Sequence, residues 1–99
     1  MGHTLIFHPD VEFEIKEAYD WYESKQTGLG ERFLDELVSC YDKLQNHPEF
    51  FGKTVRNFRR LMLNHFPYII AFELVRNKVY VYAVFHTSRN PKEIIKRKK

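Results

Sequence analysis

Ninety-nine residues and 12.0 kDa make one domain and exclude a second, and a content of 43% hydrophobic, 16% aromatic and 29% charged residues excludes a disordered chain. The single cysteine, Cys40, excludes an internal disulfide framework and a four-cysteine zinc site. No apolar run approaches the roughly 18 residues of a membrane span, and the polar start Met1-Gly2-His3-Thr4 does not read as a signal peptide, so a cytoplasmic protein with no membrane partner is expected.

The net charge of +3 hides a division along the chain. Residues 1–50 carry four basic and eleven acidic side chains, whereas residues 51–99 carry twelve basic and two acidic ones, Glu73 and Glu93. Part of this must cancel inside one fold. The excess still points to a basic surface for a polyanion or an acidic protein.

Thr4-Leu5-Ile6-Phe7 is a short extended run that stops at His8-Pro9. Proline suits the first turn of a helix, and Asp10, Glu12 and Glu14 suit its dipole. Val11, Ile15, Ala18, Tyr19 and Tyr22 then trace one face of an amphipathic helix over 10–26. Phe13 and Trp21 fall off that stripe, which leaves at least one of them for a partner or a strand edge. The acids Glu12, Glu14, Glu17, Asp20 and Glu23 read as the wet face. Thr27-Gly28-Leu29-Gly30 breaks the helix, with Gly28 placed for a left-handed cap. A second helix is expected over 31–46 on the stripe Phe33, Leu34, Leu37, Val38, Tyr41 and Leu44, with Cys40 as a small buried hydrophobe. It ends before Pro48, and the short link makes an antiparallel helical hairpin.

Beyond Pro48 the period becomes extended. Strands are expected over 55–63, 68–75 and 79–86, joined by turns at His65-Phe66-Pro67 and Arg76-Asn77-Lys78; links this short force antiparallel neighbours. The order β-α-α-β-β-β predicts an α+β fold, a small antiparallel sheet with the helical hairpin packed on one face. The other face is left open, or closed by something outside the chain. The domain occupies 1–99, with the basic tail 90–99 as a frayed turn or a flexible end.

Several segments together resemble the RelE/ParE superfamily of toxins from bacterial type II toxin–antitoxin modules, in its ParE-like, plasmid-stabilisation branch. They are Ala18-Tyr19-Asp20-Trp21-Tyr22-Glu23, Gly28-Leu29-Gly30-Glu31-Arg32-Phe33-Leu34, Arg59-Arg60-Leu61-Met62-Leu63, His65-Phe66-Pro67-Tyr68, and Ala83-Val84-Phe85-His86 running to Arg89-Asn90-Pro91. The resemblance implies a growth-inhibiting toxin silenced by a cognate acidic antitoxin. It also implies one of two activities: binding of DNA gyrase without chemistry, or metal-independent cleavage of mRNA on the ribosome.

Cleavage needs cations around a crowded phosphate and groups that move protons. By resemblance, Arg60 or its neighbour Arg59 matches the family's strand arginine, and Arg89 falls where RNA-cleaving members carry another. His86 ends the last strand, and histidine suits proton transfer near neutrality. Arg60, Arg89 and His86 are thus the catalytic candidates; Arg59, Lys53, Tyr82, Lys96 and Arg97 are candidates for holding the target or the antitoxin. The cleaving members place a tyrosine or histidine near the C-terminus, and residues 90–99 have neither. This departure favours binding over cleavage. His86 with Tyr82 is the available substitute, since strict alternation puts both on one sheet face with Tyr80 and Val84.

Each candidate also has a plainer role. Arg59 and Arg60 suit edge charges that deter aggregation, Tyr68, Tyr80 and Tyr82 suit a core, and residues 96–99 suit a solvated tail. His3, His8, His47 and His65 show no metal-ligand spacing, so neither a metal nor a cofactor is expected. Three functions follow: a toxin that binds its target, a ribosome-dependent endoribonuclease, and a non-toxic basic domain that binds nucleic acid or protein.

Overall fold

A computed structural model describes residues 2–54 and 56–97. The first strand, β1 (Thr4–Phe7), leads into α1 (Asp10–Lys25) and α2 (Leu29–Asn46). A single 3-10 turn (Pro48–Phe50) precedes β2 (Arg59–Met62), β3 (Tyr68–Val75) and β4 (Lys78–His86), and a short helix, α3 (Lys92–Ile95), ends the fold. The sheet order is β1-β4-β3-β2.

The hairpin forms as its sequence dictates. Gly28 sits at φ 91°, the left-handed region where glycine has no Cβ penalty. Gly30 lets the two helices touch: a Cβ there would lie 2.8 Å from the Tyr19 ring. Glu23, expected in solvent, instead caps α2, its two carboxylate oxygens accepting from Gly28 N (2.9 Å) and Gly30 N (3.0 Å). A negative group at a helix N-terminus satisfies orphan N–H groups and complements the dipole. Phe33, Leu37, Cys40 and Leu44 carry the α2 stripe into the core, whereas Val38 is 65% exposed. Phe13 and Trp21 are both exposed.

The sheet is mixed, which corrects the expected antiparallel arrangement. β2–β3 and β3–β4 are antiparallel, but β1 runs parallel to β4 in the register Thr4↔Lys78 to Phe7↔Val81. Short turns constrain only β2, β3 and β4. The helical hairpin separates β1 from them, so its direction is set by where the hairpin returns the chain. β2 is also shorter than the expected 55–63. Arg56 and Asn57 adopt positive φ (57° and 73°), and Thr54 N donates to Phe58 O at 2.6 Å, so the chain turns where a strand was expected to start; Val55 lies outside the described residues.

β4 carries one extra residue. Ala71 pairs Ala83 and Phe72 pairs Val81, leaving Tyr82 as a bulge, and a bulge reverses the alternation beyond it. Val79, Val81 and Val84 therefore join the helix-side core, while Ala83 and Phe85 face the other way. His86 pairs with Tyr68 and packs edge-on to its ring at 5.4 Å on the helix side. Tyr82 packs with the opposite cluster. His86 and Tyr82 do not share a face, contrary to strict alternation.

The second face is not fully open either. Ile94 of α3 is 2% exposed and packs with Ile69, Ala71, Ala83 and Phe85, so the chain's own tail covers part of what was expected to be bare. Lys98 and Lys99 of that tail lie outside the described residues.

Glu36 on α2 ties down the β2–β3 turn, accepting from the backbone N–H groups of Asn64 and His65 and meeting the His65 ring at 3.1 Å. Burial pushes this carboxyl up, but the His65 and Asn64 N–H groups with the His65 ring outweigh it and hold it below its ordinary 4.5. A carboxylate depressed in the folded state adds stability above its unfolded value and loses it as pH falls through the lower folded value. Glu36→Gln is therefore expected to lower Tm near neutrality and to narrow its gap from the wild type on acidification. Thermal melts across the acid range check this; a gap that stays constant overturns it.

Candidate functional site

The cations of the second half do not converge on one point. Arg60, on the edge strand β2, pairs with Ala71 and so projects to the face opposite the helical hairpin. Among the described residues it has no carboxylate partner. Arg59 points the other way, paired with Phe72, and its Nη1 donates to Phe51 O at 2.6 Å. Lys53 bridges to Arg59 outside the strand and is exposed.

His86 is held locally. Its Nδ1 accepts from Ser88 N at 3.1 Å and lies 2.9 Å from Ser88 Oγ. Arg89 Nη2 donates to Glu93 Oε1 at 2.9 Å, and its Nη1 stands 3.8 Å from Glu14 Oε2. The candidates for cleavage thus divide between two places: Arg60 lies on the outer face, while His86, against Tyr68, and Arg89, beside α1, adjoin each other at the end of β4, with Arg89 N–H donating to His86 O at 3.0 Å.

Arg97 is turned inward. Its Nη1 donates to Tyr82 O at 2.9 Å, and its Nη2 lies 2.7 Å from Glu14 Oε2, with both side chains largely buried. Glu14 Oε1 accepts from Val84 N at 2.9 Å. Oε2 has no well-aligned hydrogen bond among the described residues and is held by charge. The reason lies in the sheet: β1 ends opposite Val81, so Tyr82 O and Val84 N have no strand beside them. Buried backbone polar groups require partners, and the Glu14–Arg97 pair supplies both. Periodicity carried a signal for this, because Glu14 lies three residues after Val11 and four before Ala18, on the buried stripe and not on the wet face.

Tyr82 donates its hydroxyl to Glu73 Oε1 at 3.1 Å. Burial, followed by this bond and the Glu73 charge, pushes the phenol up to about 12. It is therefore a donor at neutral pH and not a base.

What the structure does assemble is a groove of about 640 Å³ between β2 and α3. Phe58, Ala71, Phe85 and Ile94 are its apolar surface, and Arg56, Arg60, Lys92 and Lys96 are its cations; Arg59 borders it while its guanidinium turns to Phe51 O. No carboxylate lines it among the described residues. Of the residues expected to hold a target or an antitoxin, Arg59 and Lys96 line the groove and Tyr82 packs beside its floor; Arg97 lies with Glu14. The described residues contain no cluster of His, Cys, Asp and Glu suited to a metal, and no helix long and apolar enough to cross a membrane.

A mixed four-stranded sheet carrying a helical hairpin, with a cationic groove on its far side, defines a small α+β domain. The family model described as ParE toxin of type II toxin–antitoxin system, parDE, matches residues 5–91, and the chain belongs to that family. It is 24% identical over 95 residues to Toxin ParE2 of Mycobacterium tuberculosis, in strains CDC 1551 / Oshkosh and ATCC 25618 / H37Rv alike, covering 95% of this chain and 90% of each relative. Its fold matches a solved structure described as the chromosomal ParDE TA system from P. aeruginosa, with a TM-score of 0.75, 16% identity, and coverage of 85% of this chain and 95% of that one.

Proposed function

We propose that this protein arrests growth by binding a protein target such as DNA gyrase, performs no chemistry of its own, and is neutralised by a cognate antitoxin. The observation that carries the reading is the placement of the charged side chains. Arg60 stands on the face opposite the helices, apart from His86 and Arg89, which adjoin each other at the end of β4 with Arg89 N–H donating to His86 O at 3.0 Å, whereas Arg56, Arg60, Lys92 and Lys96 share one apolar groove. Phosphodiester cleavage needs its groups around one reacting atom; recognition needs an extended complementary surface. Support for the antitoxin comes from the parDE description of the family and from the ParDE system of P. aeruginosa.

Expression from a tightly controlled promoter without any partner is expected to stop growth. Purified protein is expected to inhibit gyrase supercoiling and to leave mRNA intact in a translating extract. Codon-specific cuts that vanish in Arg60→Ala would overturn the binding mechanism in favour of a ribosome-dependent endoribonuclease. Normal growth would overturn the toxin reading in favour of a non-toxic binding domain.

A further inference from the structure

We infer that this protein associates with a second copy of itself head to tail, the outer face of α1 in one copy docking on the groove between β2 and α3 in the next. The inference is independent of the toxin reading, because it uses only two surfaces of this chain. Residues 1–50 hold eleven of the acids and residues 51–99 hold twelve of the bases. Folding leaves part of each surplus on a different side of the sheet. On α1, Phe13, Glu17, Asp20 and Trp21 fall at helical spacing on the side away from the buried Val11 and Ala18. Phe13 is 70% and Trp21 56% exposed, and two such rings on one helix face mark an interaction surface. Phe13, Glu17 and Asp20 also line a hollow of about 490 Å³. Across the sheet, the groove offers the opposite chemistry: the exposed cations Arg60, Lys92 and Lys96 beside an apolar floor, with no carboxylate lining it among the described residues.

The contacts within one copy show that the α1 face accepts such cations. Lys25 Nζ stands 4.0 Å from the centroid of the Trp21 ring, and Lys16 Nζ lies 2.8 Å from Asp20 Oδ2. A cation over an aromatic ring gains from the ring's quadrupole, and gains more when water is excluded. Both lysines are exposed, and exposed pairs of this kind are weak, so the groove cations of another copy can replace them. The two surfaces share no residue and have the sheet between them, so they meet between copies and not within one. Charge also selects the mode of contact. Pairing α1 with α1, or groove with groove, would set like charges against each other; α1 on groove sets carboxylates and rings against arginine and lysine.

The test is sedimentation of the full chain over a range of concentrations, with two variants changed at exposed positions and their fold verified by circular dichroism. One is Arg60→Glu with Lys96→Glu, which spoils the groove. The other is Phe13→Ser with Trp21→Ser, which strips the helix face and removes the single tryptophan. The unaltered chain is expected to exceed the monomer mass as concentration rises, and to do so less in high salt, since exposed charges are screened beyond about 10 Å at 0.1 M. Each variant alone is expected to self-associate at least tenfold more weakly. Mixed together, the two are expected to form a 1:1 complex through the one intact helix face and the one intact groove. The tryptophan emission of the mixture then comes only from the groove variant, and it should shift as Trp21 is covered. A chain that stays monomeric at every concentration, variants that associate as well as the unaltered chain, or a mixture that neither gains mass nor shifts its emission overturns the inference.

Discussion

Phe33→Ala is expected to lower the unfolding free energy by about 3–5 kcal/mol, the range for emptying a large aromatic site in a close-packed core. Phe33 is fully buried, and its ring meets Tyr22, Phe66 and Tyr68 at centroid distances of 5.5, 5.3 and 5.2 Å. It is the point where α1, α2, the β2–β3 turn and β3 come together. Truncation removes the edge-on ring contacts along with the buried area, and rings from three separate elements cannot all close onto the space left. A domain of this size has about 5–15 kcal/mol in total, so the loss is a large share, and Tm should fall by roughly 12–40 °C at about 4–8 °C per kcal/mol. Denaturant titration and a thermal melt measure it. A cost under about 1.5 kcal/mol, the range of a volume-conserving swap, would show that the aromatic cluster does not hold the two layers together.

Glu14→Ala is expected to cost about 3 kcal/mol, the lower end for breaking a largely buried ion pair. Val84 N–H loses its acceptor, and Arg97 and Arg89 lose the Glu14 charge while keeping Tyr82 O and Glu93. The effect should also be local. Arg97 holds the end of the chain to the sheet, so amide exchange is expected to rise at residues 82–84 and 92–95 well before global unfolding. Glu14→Gln keeps an oxygen for Val84 N–H and should recover part of the loss, whereas Glu12→Ala on the exposed side of α1 should change stability by less than about 0.5 kcal/mol. Exchange that rises uniformly over the sheet, or a Glu14→Ala variant as stable as Glu12→Ala, would remove the proposed role of this pair as a substitute for the missing strand. The release of α3 also matters for the groove, because Ile94 forms part of its surface.

These two sites differ in how visible they are before folding. Phe33 belongs to a clean helical stripe, and its burial follows from spacing alone. Glu14 lies on a stripe too, but a carboxylate there reads as solvent-facing until the end of β1 leaves Val84 N–H and Tyr82 O without a strand. The groove shows the same division. Twelve basic residues in the second half of the chain announce a cationic surface. They do not say that Arg60, Lys92 and Lys96 share it while Arg97 and Arg89 are drawn to Glu14.

The amino-acid sequence by itself determined the elements: both helices, the glycine break between them, the strand Tyr68–Val75 and its turn into β4, all within a residue or two of their observed limits. These depend on side-chain period, capping and turn chemistry, which act over a few residues. Only the tertiary structure decided the parallel direction of β1, the bulge at Tyr82 that parts it from His86, and the seating of Ile94 on the second face. Each results from contacts between segments far apart in the chain, where one extra residue in a ladder or one strand ending early redirects every side chain beyond it.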